Sequence, residues 1–173
     1  AFNGYSKVTA INIPQSVTQI GDNAFKNCYY LENIDFSQNG KLKEIGRAAF
    51  ENCDQLTSVH VPEGVTDIGK SAFALCTNLL ELTIPNSIVR MGSVYFSDNS
   101  YYSEYKGGYY VGNESNPYLV LCKGECEEIH KDTKVIAGVQ SFMGGIPNGV
   151  LTISDNAMGM GVAGTIYIPE SVI

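Results

Sequence analysis

The chain has 173 residues, 44% apolar and 17% charged, enough for one ordinary domain with a sizeable core. A net charge of −7 and 11 scattered lysines and arginines make a poor footprint for nucleic acid or an anionic membrane. No apolar run approaches the roughly 20 residues that span a bilayer, so no direct membrane insertion is expected here.

In chain order, the first unit to stand out is IGDNAFKNC, Ile20 to Cys28. It returns as IGRAAFENC (Ile45 to Cys53), as IGKSAFALC (Ile68 to Cys76) and, more weakly, as MGSVYFSDN (Met91 to Asn99). A catalytic centre is needed once, so recurrence at fixed spacing points to architecture. Phe2, Phe25, Phe50, Phe73 and Phe96 mark steps of 23, 25, 23 and 23, and Phe142 follows 46 residues later.

Between these marks Val8, Ile11 and Ile13 repeat as Leu31, Ile34 and Phe36, as Leu56, Val59 and Val61, and as Leu79, Leu82 and Ile84. This is L-x-x-L-x-L, the strand signature of a leucine-rich repeat, whose period is about 20 to 29 residues. Alternation along such a strand turns Val59 and Val61 inward and His60 outward. Pro14, Pro62, Pro85 and Pro169 lack an amide donor and end the strands. On the return leg, Ile68, Ala72 and Cys76 lie at i, i+4 and i+8, which predicts one face of about two helical turns. Gly21, Gly46, Gly69 and Gly92 are read as supplying a turn conformation. One repeat cannot bury its own apolar edge, so the repeats must stack. The predicted fold is a repeat solenoid, a right-handed coil with a parallel β-sheet on one face and short helical or irregular returns.

Cys28, Cys53 and Cys76 fall on one ladder with Asn99 next in line, and buried packing of reduced thiols is preferred there over a catalytic or zinc role. Five cysteines cannot all pair within one chain. For Cys122 and Cys126, a disulfide, a shared helical face and two unrelated thiols all stay open. We divide the single solenoid, 1–173, into regular repeats (1–100), a tyrosine-rich insertion and inter-repeat segment (101–125) and degenerate repeats (126–173). In the last part Val135-Ile136 and Ser141-Phe142 survive, and Ile166 to Pro169 starts a fresh repeat. Ala1 to Tyr5 aligns with a repeat's tail, Pro169 to Ile173 stops midway through another, and neither end carries a polar cap. A piece of a longer array is expected.

Possible chemistry is thin. GMGVAG (Gly159 to Gly164) matches G-x-G-x-x-G, but a strand ending in proline follows it where a dinucleotide site needs a helix. Ser58, His60 and Asp35 share a strand face, yet an open sheet offers no oxyanion hole or walled pocket. Asp35, His60 and Glu81 on adjacent rungs lack any defined metal-ligand spacing. Asn113-Glu114-Ser115 is a glycosylation sequon by pattern only. No catalytic, cofactor-binding or metal residue is assigned, and no cofactor is expected.

IPQSVTQIGDNAFKNC (Ile13 to Cys28) and VPEGVTDIGKSAFALC (Val61 to Cys76) closely resemble the repeats of the BspA-like surface-antigen family. The match covers Val8 to Asn99, and YYVGNESNPYLVLCK (Tyr109 to Lys123) resembles an inter-repeat segment common in that family. The resemblance implies a secreted or cell-surface bacterial protein, with adhesion or host-protein binding as its usual association and no shared active site. The expected function is therefore a non-enzymatic module binding an extracellular protein or glycan. The alternatives are a structural spacer and the non-catalytic part of an enzyme. The candidate surface is the outward strand row: Asn12, Asn33, Asp35, Ser58, His60, Glu81 and Thr83. Seven of the 11 tyrosines lie between Tyr95 and Tyr118, so Tyr101, Tyr102, Tyr105, Tyr109 and Tyr110 form an alternative surface, unless their rings fold back onto the solenoid.

Overall fold

The L-x-x-L-x-L segments become four short strands, β1 (Ala10–Asn12), β3 (Asn33–Asp35), β5 (Ser58–His60) and β7 (Glu81–Thr83). Each is followed by a two-residue strand: β2 (Gln19–Ile20), β4 (Glu44–Ile45), β6 (Asp67–Ile68) and β8 (Arg90–Met91). The computed structural model describes residues 2–5, 7–36, 40–92, 102–138, 141–142, 146–154 and 169–172. Phe96, Asn99, the GMGVAG segment and Ile166 to Ile168 lie outside the described residues. Strands β2, β4, β6 and β8 form one parallel sheet, with Ile20, Ile45, Ile68 and Met91 in register and buried. Proline turns separate the two strands of a coil: Val17 N donates to Pro14 O at 3.0 Å, Val65 N to Pro62 O at 3.3 Å and Ile88 N to Pro85 O at 3.2 Å.

The return leg is not helical; among the described residues there is no helix. Two residues per coil, four apart, take left-handed backbone: Asn23 and Asn27, Ala48 and Asn52, Ser71 and Leu75, with φ between 52° and 66°. Such residues interrupt a right-handed helix and send successive amides in alternate directions. Ala49 N and Glu51 N close turns onto Gly46 O and Ala48 O at 3.3 and 3.2 Å. Ala48 N, Phe50 N and Asn52 N instead reach Lys70, Ala72 and Ala74 of the next coil at 2.8–2.9 Å. Apolar side chains every fourth residue face inward in this path as they would in a helix, which is why the spacing predicted one.

The glycines also have a different cause. Gly46, Gly69 and Gly92 do not take positive φ. A Cβ on Gly69 would stand 2.4 Å from Arg47 N of the coil before, and one on Gly46 or Gly92 would be 2.6 or 2.4 Å from backbone. Gly21, in the first coil, would meet nothing within 4 Å. Close approach of coil to coil, rather than a turn conformation, requires glycine here.

Inside the coils the repeated residues form ladders. Phe2, Phe25, Phe50 and Phe73 stack nearly parallel, with ring centroids 5.3–5.5 Å apart. The thiols of Cys28, Cys53 and Cys76 each donate to the carbonyl of the phenylalanine one coil back, at 3.2–3.3 Å. Val59 and Val61 are buried and His60 is exposed, as the alternation predicts.

Beyond the coils the chain changes direction. β9 (Ser103–Tyr105) and β10 (Gly108–Val111) form a hairpin around Lys106 and Gly107, whose φ values of 45° and 82° suit a two-residue hairpin turn. β11 (Val120–Cys126) pairs antiparallel with β10, then parallel with β12 (Val135–Ile136) and β13 (Ser141–Phe142), and β14 (Thr152–Ile153) pairs parallel with β12. A second apolar cluster around Tyr110, Leu121, Ile129 and Ile136 lies beneath this sheet. Among the described residues the insert joins the coils at the isolated bridge of Thr83 with Gly112, through the hydrogen bond from Asn113 Nδ2 to Ile84 O, and through a shared core that includes Val111, Leu119 and Val120.

Candidate functional site

The outward positions of the strand row lie on two hydrogen-bonded pairs of strands that stand next to each other. In one, Asn12 and Asp35 lie opposite each other on β1 and β3, and Asn12 Nδ2 donates to Asp35 Oδ2 at 3.1 Å. In the other, Ser58 faces Glu81 and His60 faces Thr83 across β5 and β7. His60 Nδ1 is 3.2 Å from Thr83 Oγ1 and 3.9 Å from Glu81 Oε1, and the His60 and Glu81 side chains are about three-fifths exposed.

The hydrogen-bonded ladder is interrupted between β3 and β5, which are neighbours but belong to different two-stranded sheets. The break falls where the step lengthens. Asn33 to Ser58 is 25 residues, against 23 from Ala10 to Asn33 and from Ser58 to Glu81, and the two extra residues sit between Phe36 and Ile45. Asp35 pairs with Asn12 on β1, and no bonded rung links it to His60. Neither the Ser58–His60–Asp35 set nor the Asp35–His60–Glu81 set shares one sheet.

The tyrosine segment is largely consumed in packing. Tyr110, expected among the exposed rings, is fully buried, and its Oη accepts from His130 N at 3.2 Å. Burial pushes its hydroxyl up to about 12. Tyr118 stacks on the His130 ring at 4.0 Å, and Tyr105 meets the same imidazole edge-on at 4.8 Å. Tyr102 and Tyr109 lie on either side of Lys123, whose ammonium is 5.0 and 5.5 Å from their centroids. Tyr101 lies outside the described residues. Asn113 of the sequon is a structural residue: its amide donates to Ile84 O at 2.8 Å and its Oδ1 accepts from Ser115 N and Asn116 N.

All five cysteines are buried thiols outside any disulfide. Burial raises their thiol pKa values, to about 12 for Cys76 and Cys122, so they stay neutral and act as packing groups.

Where β7 meets the insert, a groove of about 300 Å³ opens, lined by Leu80, Glu81, Leu82, Thr83, Ser103, Gly112, Asn113, Glu114 and Pro117. Sequence reasoning named Glu81 and Thr83 but missed Leu80 and Glu114. The available signal for Leu80 was its place in the repeat, where Thr9, Glu32 and Thr57 stand in the other coils. Leu80 is 64% exposed. Glu114 had no such signal, because the insert does not repeat.

Residues 1–104 match the pattern described as "BspA type Leucine rich repeat region", in six copies. No curated protein matches the chain. Among solved structures, the leucine-rich repeat protein TpLRR of T. pallidum is similar with a TM-score of 0.53 and 24% identity, over 88% of this chain and 52% of that one. A leucine-rich cell surface protein of Faecalibacterium prausnitzii A2-165 gives 0.51 and 20%, over 99% of this chain and 44% of that one. Both likenesses concern the fold, and the chain spans about half the length of these proteins.

Proposed function

Because the chain belongs to the BspA-type leucine-rich repeat family, we propose that it is a non-enzymatic binding module of a secreted or cell-surface bacterial protein, engaging an extracellular protein or glycan in adhesion or host interaction. The observation that carries this reading is the outward face of β5 and β7. There Ser58, His60, Glu81 and Thr83 stand in register on a backbone fixed by buried Val59 and Leu82. A rigid support with mixed polar groups discriminates between partners at little ordering cost. The surface location of the F. prausnitzii protein supports the same placement for this chain.

The rival tyrosine surface is the weaker candidate, since rings already stacked on one another offer less area to a partner. The test is binding of the purified chain to an array of glycans and a panel of extracellular matrix proteins. Saturable binding that falls in a His60→Ala/Glu81→Ala variant of unchanged melting temperature supports the proposal. A chain that saturates with nothing on either surface is a spacer.

A further inference from the structure

The proline turns of the coils carry a polar residue at one position: Gln15, Glu63, Asn86 and, in the degenerate repeats, Asn148. Of these, only Asn148 is an asparagine followed by glycine, a pairing that is chemically unstable. Glycine has no Cβ to shield its amide nitrogen, so that nitrogen reaches the preceding side-chain amide more readily. The chain has three such pairs, Asn3-Gly4, Asn39-Gly40 and Asn148-Gly149, and Asn39 lies outside the described residues.

The fold guards one of the other two pairs and leaves the second open. Gly4 N donates to Lys26 O at 2.8 Å, and Asn3 Oδ1 accepts from Asn27 Nδ2 at 3.4 Å. Both reacting groups there are held by the next coil. Asn148 and Gly149 are exposed, and their turn closes through Val150 N to Pro147 O at 3.1 Å, which engages neither group. Among the described residues no hydrogen bond holds Gly149 N or the Asn148 amide. Asn86, at the same turn position, donates from Nδ2 to Ser115 Oγ at 3.1 Å and is followed by serine. Nor does the backbone require glycine at 149. Gly64 at that turn position has φ of 100°, whereas Gly149 is not left-handed. A Cβ on Gly149 would lie 3.6 Å from Lys131 O, an ordinary contact.

We propose that Asn148 is a site of self-modification, at which the chain converts its own side-chain amide to aspartate and isoaspartate. Gly149 N gives its proton to a solvent base and bonds to Asn148 Cγ. The Cγ–Nδ2 bond breaks, ammonia leaves with a proton taken from water, and a cyclic imide closes. Water then opens the ring. Attack at Cγ restores the ordinary backbone with aspartate, and attack at the main-chain carbonyl carbon leaves isoaspartate, whose backbone runs through Cγ. No electrons are transferred, and water is the co-reactant. The two products differ in consequence. Glu63 shows that the turn accepts a carboxylate at this position. Isoaspartate instead lengthens the backbone beside Val150, which is fully buried in the second apolar cluster, and so unseats it. The reaction needs no partner and sets a slow, one-way change in the degenerate repeats.

The experiment is incubation of the purified chain at mildly acidic and mildly alkaline pH, followed by peptide mapping with mass spectrometry and enzymatic methylation of isoaspartate. The peptide holding Asn148 is expected to exchange amide for acid, faster at the higher pH because the attacking nitrogen must lose its proton. The Asn3 peptide should convert at least about fivefold more slowly, the scale of the hydrogen bonds that must first break. Gly149→Ala, with an unchanged melting temperature, should slow conversion at Asn148 by a similar factor. The aged chain should melt below the Asn148→Asp variant, which carries the new charge on an unaltered backbone. Three results overturn the proposal: conversion at Asn3 as fast as at Asn148, an unslowed Gly149→Ala variant, or an Asn148 that keeps its amide while the free peptide Ile-Pro-Asn-Gly-Val converts. If Gly149→Ala does not fold, the Asn3 comparison in the parent chain decides. Equal melting of the aged chain and Asn148→Asp overturns the consequence assigned to isoaspartate.

Discussion

The coils up to Met91 and the insert that follows bury their apolar residues by opposite means. In the coils each buried side chain has a copy of itself one turn away, so Phe25, Phe50 and Phe73 stack at nearly constant spacing and the cysteine thiols repeat one hydrogen bond. In the insert, Tyr105, Tyr110, Tyr118 and His130 pack edge-on and face-on around each other, without any repeated offset. The first region is built by translation and the second by individual fit. A change in a coil therefore disturbs a ladder through its neighbours, whereas a change in the insert is answered locally.

The largest effect that separates the two is expected at the phenylalanine ladder. Phe50→Ala removes a fully buried ring flanked on both sides, and should cost about 3 to 5 kcal/mol in chemical denaturation. His60→Ala, on the outer side of the same coil, should stay within about 0.5 kcal/mol. The reverse order would mean that the coil's inside and outside have been exchanged.

Next comes the glycine column. Gly69→Ala drives a methyl into backbone 2.4 Å away and should destabilise by about 1 to 3 kcal/mol or more. Gly21→Ala, with nothing within 4 Å, should be neutral in the same melting experiment. Equal losses at both sites would point to backbone conformation, not coil-to-coil contact, as the reason for glycine.

The degenerate repeats offer a change of opposite sign. Thr133 is fully buried and its hydroxyl has no hydrogen-bond partner among the described residues. It occupies the turn position held by Val17, Val65, Ile88 and Val150 in other coils, with Thr133 N bonded to His130 O at 3.0 Å. Thr133→Val keeps the shape, removes the stranded hydroxyl and should stabilise by about 1 to 2 kcal/mol. A loss of stability on denaturation would show that the hydroxyl is satisfied.

The smallest effect is at Leu75, an exposed residue with φ of 59° where the two preceding coils carry Asn27 and Asn52. Asn52 Nδ2 donates to Asn27 Oδ1 at 3.1 Å, so asparagine forms a ladder on this column. Leu75→Asn relieves left-handed strain and extends the ladder, and should raise stability by about 0.5 to 1 kcal/mol. An unchanged melting temperature would leave the left-handed backbone without a measurable cost.

How much of this was legible in the sequence follows from the same contrast. Inward and outward assignments at Val59, His60 and Val61 were readable because period-2 alternation has one geometric meaning. The return leg was expected to be helical or irregular and is irregular: inward residues four apart arise equally from a helix and from paired left-handed turns, and only backbone φ separates the two. The two extra residues before Ile45 were visible as a step of 25, but a count of residues does not say which sheet will break. In the insert, tyrosine content suggested either a contact surface or a packed layer. Burial of Tyr110 favours packing, and that depends on antiparallel pairing with β11 across an eight-residue connection between Val111 and Val120. Leu80 and Glu114 of the groove come from two regions far apart in the sequence pattern, brought together by the Thr83–Gly112 bridge and the Asn113–Ile84 hydrogen bond.

The most direct test of the functional account is a titration of one partner from the binding panel against two variants of equal melting temperature. One carries Asp35→Ala, His60→Ala and Glu81→Ala; the other carries Tyr102→Ala, Tyr105→Ala and Tyr109→Ala. The account predicts that the first loses at least about tenfold in affinity while the second binds like the parent, since a few central side chains carry most of an interface's energy. Full affinity in the first variant with loss in the second would contradict it and move the contact surface to the insert.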